Sequence, residues 1–145
     1  VSNNYFSLES VNKSFFICSI QLLDSLSSEK YVFKDSEEIF ISYKVVVREK
    51  PVEVYLLSTV LDSEKGKIFS SEIKVNDTGS FVLRINKNFL VRGRYFVQSI
   101  LYRPGISQFD FVESSNMFQV EDDGSVFKHL ETFDYGKVIG NCQWV

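Results

Sequence analysis

Wherever hydrophobic and polar positions along this chain show a period, the period is two. From Gly93 to Tyr102, Tyr95, Val97, Ser99 and Leu101 fall on one side of an extended segment, and Phe96, Gln98, Ile100 and Tyr102 on the other. Segments rich in β-branched and aromatic residues recur at 15–24, 38–47, 51–62, 80–86, 94–102, 116–121 and 137–144, with shorter ones at 30–33, 67–75 and 108–113. Between them lie DSLSSEK, KDSEE, DSEKGK, NDTGS, RPGIS and EDDGS, in which Asp, Asn and Ser bond back to the backbone and Gly supplies positive φ. Short strands at this spacing predict an all-β, immunoglobulin-like antiparallel β-sandwich of the jelly-roll or Ig type. Only a short helix at 126–133 and a single helical turn at 86–93 interrupt the pattern. No repeat or linker divides the chain. Residues 1–145 form one domain, with 1–14 as an N-terminal extension and 137–145 as a last strand.

The segment at 94–102 is apolar on both faces, whereas a sheet with one face on the core has a polar face toward water. A Tyr just after a Gly at the head of a central strand plugs the core of an immunoglobulin-like sandwich and bonds to nearby backbone. GRYFV puts Tyr95 in that position. Tyr95, Val97, Ser99 and Leu101 then point inward, and Phe96, Gln98, Ile100 and Tyr102 outward. If the strand from Val52 pairs alongside, Val52, Val54 and Leu56 face the core and Glu53, Tyr55, Leu57 and Thr59 face out. On the other flank Phe118 and Val120 face in, with Met117 and Gln119 out. The outer surface is predicted to gather Tyr55, Leu57, Phe96, Ile100, Tyr102 and Met117 among Gln98, Gln119 and Glu53. Rings beside amide and carboxylate groups suit a sugar, whose C–H faces stack on rings while its hydroxyls need planar hydrogen-bonding partners. On these grounds the candidate carbohydrate-binding residues are Tyr55, Phe96, Gln98, Ile100, Tyr102 and Gln119. Coverage of the same face by the chain's own ends, or by a second subunit, also accounts for an apolar outer surface.

Composition narrows the partners. A chain of 145 residues, 44% hydrophobic and 24% charged, is long enough to bury one core. The net charge of −3 and a pI near 5.2, with Lys and Arg scattered, argue against nucleic acid. No apolar run is long enough to span a bilayer. Cys18 and Cys142 stand near opposite ends without metal-ligand spacing, which fits a reducing compartment and no disulfide framework. The chain begins at Val1 without a Met or a leader pattern, and is read as a domain excised from a longer protein.

Catalytic chemistry is hard to assemble. One histidine, His129, sits in VFKHLETF, which is not an activating context for a nucleophile. Carboxylates pair at Glu37 and Glu38, at Asp122 and Asp123, and around Asp110 and Glu113, each in or beside a turn, where acids are solvated turn formers. The seven glycines form no phosphate-binding loop. No catalytic residue, metal site or cofactor is expected.

The order of the segments adds a resemblance. IxxIxLLD at 17–24, FKDSEEIFISYKV at 33–45, PVEVYLLS at 51–58, FLVRGRYFVQSIL at 89–101, MFQVEDDG at 117–124 and GKVIGNCQW at 136–144 resemble the C-terminal polysaccharide-binding domain of Wzt-type proteins, the ATPase subunits of O-antigen ABC transporters. The likeness runs from about Ile17 to Trp144. It implies an immunoglobulin-like sandwich without catalysis that recognises a lipid-linked O-antigen polysaccharide at the cytoplasmic face of the bacterial inner membrane. It also implies an ATPase domain in the same parent chain, a membrane permease partner, and a homodimer in which the last strand, around Trp144, is exchanged between protomers. Within that frame Trp144 is a core or interface anchor, or else a stacking ring. The competing function is a structural or protein-interaction sandwich whose apolar outer face is purely an interface.

Overall fold

The computed structural model of the chain describes residues 4–7, 13–49, 53–105, 107–123, 134, 136–139 and 143–145. Among these, the regular structure is nine strands and no helix: β1 (Tyr5–Phe6), β2 (Phe15–Leu23), β3 (Val32–Lys34), β4 (Ile39–Val47), β5 (Tyr55–Leu61), β6 (Lys67–Lys74), β7 (Gly79–Ile85), β8 (Gly93–Arg103) and β9 (Ser107–Glu121). They form two sheets, one in the order β1-β2-β4-β7 and one in the order β3-β9-β8-β5-β6. The all-β sandwich predicted from the alternation is the fold observed. One pairing departs from a purely antiparallel reading: β3 runs parallel to β9, with Phe33 opposite Val120. The expected helix at 126–133, His129, Cys142 and Val52 lie outside the described residues, and the turn at 86–93 is a non-helical turn with Asn88 at φ 58°.

Period-two strands face each other across the core. Ile20 and Leu22 from β2, and Ile41, Tyr43 and Val45 from β4, pack on Leu56 and Val60 from β5, Val97 and Leu101 from β8, and Phe118 and Val120 from β9, all essentially excluded from water. Tyr95 is 1% exposed, stacks on Phe118 at 5.4 Å and donates its hydroxyl to the Val91 carbonyl at 2.6 Å, the tyrosine corner expected from GRYFV. That bond satisfies the one polar atom of a large buried ring.

Polar groups in the core join the two sheets. The Tyr43 hydroxyl of β4 lies 2.6 Å from Ser58 Oγ of β5 and 2.7 Å from Ser99 Oγ of β8. Burial pushes the Tyr43 phenol up to about 12, against the two hydroxyl contacts that would lower it. On the opposite flank Asp110 of β9 accepts the Ile17 amide of β2 at 2.8 Å through Oδ2. Asn116, in left-handed conformation at φ 52°, donates Nδ2 to the Ile20 carbonyl at 2.7 Å.

Residues 108–113 and 116–121, predicted as separate strands, are one 15-residue strand. Opposite β8 it carries register shifts between Tyr95 and Val97, between Val97 and Ser99, and between Leu101 and Tyr102. Ser114 and Ser115, which separate the two predicted segments, lie in the bulged middle of the strand, beside Asn116 in the left-handed conformation that Asn tolerates. In the predicted last strand, Val138 makes an isolated antiparallel bridge to Leu90 and the Ile139 amide donates to the Phe89 carbonyl at 3.0 Å. Gly140, Asn141 and Cys142 lie outside the described residues. Trp144 is fully exposed, so it is no anchor in this chain's own core.

Candidate binding face

The five-stranded sheet presents its outer side as a ladder of cross-strand rows. In one row Lys74, Tyr55, Tyr102 and Gln108 stand opposite one another; in the next, Glu72, Leu57, Ile100 and Phe111. A third row aligns Ser70, Thr59 and Gln98, and a fourth sets Leu61 opposite Phe96. Gln98, Ile100, Phe96 and Tyr102 of β8, with Tyr55 of β5, are therefore neighbours on one surface, as the alternation predicts, and all five are half-buried.

The two ends of this surface differ. At the end near Gly93 it is covered by the β5–β6 turn. Asp62 Oδ1 accepts the Glu64 amide at 2.9 Å and the Gly66 amide at 2.8 Å, which shapes the turn and holds Lys65 at φ 67°. The Lys65 ammonium sits 3.1 Å from the centre of the Phe96 ring and donates to Ser114 Oγ of β9 at 2.9 Å. A lysine thus straps the sheet from β5–β6 across β8 to β9 and caps Phe96. Leu61 and Thr59 are on the outer side by register, as expected for Thr59, but both are covered there and only 2% exposed. Thr59 Oγ1 is engaged by Ser70 Oγ at 2.7 Å.

The other end is open. The Tyr55 and Tyr102 rings lie 6.1 Å apart, inclined at 39°, and Phe111, paired with Ile100, is 43% exposed. The Tyr102 hydroxyl donates to Glu72 Oε2, which orients both groups along the sheet. That bond to a carboxylate, then burial and the charge of Glu72, hold the Tyr102 phenol above its ordinary value, so it stays a neutral donor. Rings, an amide and a carboxylate fixed on a surface of this kind can stack on the apolar face of a pyranose and bond to its hydroxyls.

Gln119 does not join the others. It pairs with Arg94 at the strapped end, about 26 Å along β8 from Tyr102 at 3.3 Å per residue. The shifts in β9 put Phe111 and Gln108 where an unbulged strand would carry other residues. Phe111, Lys65 and Glu72 are the residues that sequence reasoning missed. Period-two alternation in QFDFVE carries a signal for Phe111, but nothing local in DSEKGK announces that Lys65 folds back over the sheet.

Four of the carboxylates considered as acid–base pairs have structural partners. Glu37 pairs with Lys30 at 2.5 Å, Glu38 with Arg84 at 3.6 Å and Asp110 with the Ile17 amide, and Asp123 accepts Ser36 Oγ at 3.0 Å. Among the described residues no group of three His, Cys, Asp or Glu side chains is placed to hold a metal ion, and no helix is long and apolar enough to cross a membrane.

No protein-family model matches the sequence, and no curated protein matches it. Among solved structures, the chain is similar to the C-terminal domain of wzt, with a TM-score of 0.70 at 9% identity, over 98% of this chain and 86% of that one. A β-glucuronidase from Parabacteroides merdae shares 12% identity over 74% of this chain and 14% of its own, with a TM-score of 0.48. At these identities what is shared with the wzt domain is the fold.

Proposed function

We propose that this domain is a non-catalytic carbohydrate-binding module that holds a polysaccharide on the open end of its five-stranded sheet. The observation that carries the reading is the row structure there: Tyr55, Tyr102, Ile100 and Phe111 face outward together, with Gln98, Gln108 and Glu72 beside them. The wzt-like fold, together with the resemblance of the ordered segments noted in the sequence, supports a more specific context. In that context the ligand is a lipid-linked O-antigen polysaccharide at the cytoplasmic face of the inner membrane. The domain works there as a homodimer, joined in its parent chain to an ATPase domain and acting with a membrane permease.

The test is retention of the folded domain on immobilised bacterial O-polysaccharides of several serotypes. The reading expects one serotype to be held and others ignored, and Tyr102→Ala or Phe111→Ala to abolish retention while thermal unfolding is little changed. If no polysaccharide is held, and the same substitutions instead shift a dimer to monomer in sedimentation, the face is a protein interface and the carbohydrate reading fails.

A further inference from the structure

The two sheets are not equally joined along their two long flanks. On one flank β9 leans onto β2 through Asp110 and Asn116. On the other, β6 and β7 are the edge strands of their sheets, and a cleft of about 180 Å³ enters between them. Its walls are Leu56, Ile73, Phe81, Val82 and Leu83, and Tyr43 and Ser58 also line it. Of these lining residues, Ile73 and Val82 are 49% and 59% exposed, a high exposure for aliphatic side chains.

The buried hydroxyls Ser58, Tyr43 and Ser99 form a chain of three with two contacts between them, and none of the three makes another side-chain hydrogen bond among the described residues. Three hydroxyls carry three protons, and two contacts use two. One proton is left over. At the Ser99 end it would be stranded, because Ser99 is wholly excluded from water, and a buried donor without an acceptor is costly. At the Ser58 end it reaches the cleft. Both serines donating to Tyr43 leaves the phenol proton without an acceptor between them, so only the arrangement from Ser99 to Tyr43 to Ser58 puts the spare O–H on Ser58 at the cleft, where a ligand can accept it.

We propose that this cleft is a binding site for a small neutral molecule with a compact apolar body and one oxygen acceptor, of the chemistry of phenol or cyclohexanol. The volume is near that of an apolar cavity of about 150 Å³ that takes up benzene. The mostly apolar walls disfavour a charged body. The oxygen of the ligand accepts the spare Ser58 proton, and its ring or chain packs on Leu56, Phe81 and Leu83. Apart from Glu72, which borders both, this site shares no residue with the outer face of the sheet, and it does not depend on the carbohydrate reading.

The experiment is a titration of the ¹⁵N-labelled chain with phenol, cyclohexanol and benzene, followed by amide shifts. Expected are saturable shifts confined to Ser58, Ser71 and residues 81–83, with phenol bound about fivefold more tightly than benzene, the ratio one net hydrogen bond gives. Ser58→Ala removes that preference and leaves benzene binding intact. Should Ser58→Ala fail to fold, Ser71→Phe plugs the cleft from its exposed rim, keeps the hydroxyl chain, and abolishes binding of all three. Non-saturating shifts, shifts centred on Tyr55 and Tyr102, or equal affinity for phenol and benzene would overturn the proposal. So would broadening of β6 and β7 resonances that grows with protein concentration alone, since a strand of a second copy would then occupy the cleft.

Discussion

Replacing Tyr43 by Phe removes one oxygen atom from the middle of the sandwich and leaves its shape almost unchanged. Both contacts of the phenol disappear, at 2.6 Å to Ser58 and 2.7 Å to Ser99. The two serines are affected differently. Ser99, with no exposure, loses its partner in a water-free interior, a loss of about 1–3 kcal/mol, whereas Ser58 opens on the cleft and its loss is nearer the net value of one hydrogen bond, about 1 kcal/mol. The expected sum is about 3 kcal/mol, read as a lower urea midpoint at unchanged slope. Adding Ser99→Ala to Tyr43→Phe removes the stranded hydroxyl, so the double variant is expected to be more stable than Tyr43→Phe alone. The alkaline limb gives a second measurement. The phenol is raised in the folded protein from about 10 to about 12, so its contribution is fully present below pH 10 and is lost as pH rises through about 12. Across those two pH units the loss is about 3 kcal/mol, and the Phe variant lacks it. A cost below about 1 kcal/mol for Tyr43→Phe, or a further loss on adding Ser99→Ala, would refute the reasoning.

Asn116→Ala deletes a buried amide that donates to the Ile20 carbonyl and places Ala at φ 52°, with an expected destabilisation of about 2–4 kcal/mol in urea unfolding; an effect below about 1 kcal/mol would mean that β2 and β9 are not held there. Gln119→Ala is expected to leave polysaccharide retention unchanged while Tyr102→Ala abolishes it, because Gln119 lies at the strapped end opposite Arg94; equal losses in the binding assay would contradict this placement. Burial alone would raise the Glu37 carboxyl, but the hydrogen bonds from Lys30 and the Lys34 amide outweigh it and hold the group below its ordinary 4.5. Its contribution is therefore present above pH 4.5 and is lost as pH falls through the lower folded value, and Lys30→Met should flatten that part of the acid unfolding curve.

How much of this could be read from the residues depended on whether the governing contact was local. The facing of β8 was legible because Tyr95 must be inside and the period of two then places every other residue. The pairing of β5 with β8, Tyr55 against Tyr102 and Leu57 against Ile100, follows once both strands put their aliphatic side toward the core. The geometry of β9 was not legible. Ser114, Ser115 and Asn116 look like a turn by propensity, and only tertiary contacts, Asn116 to Ile20 and Ser115 Oγ to the Val97 carbonyl at 3.4 Å, keep them in the sheet. Because each bulge advances one strand past its partner, the same segment also displaced Gln119 relative to Gln98 and hid Phe111. The strap was illegible on physical grounds of its own: Lys65 reaches Ser114, 49 positions away, through a turn whose sequence would serve equally well pointing into water.

The unequal flanks make this sandwich resemble a bound book. The Asp110 and Asn116 bonds are its spine, and the edges of β6 and β7 are the side where the pages part. Thermal motion in such an object is a small change of angle about the spine, with the largest excursions at the far edge. Backbone amides of β6 and β7 are therefore expected to trade hydrogen for deuterium long before those of β2, and a guest of the cleft is expected to enter by that side.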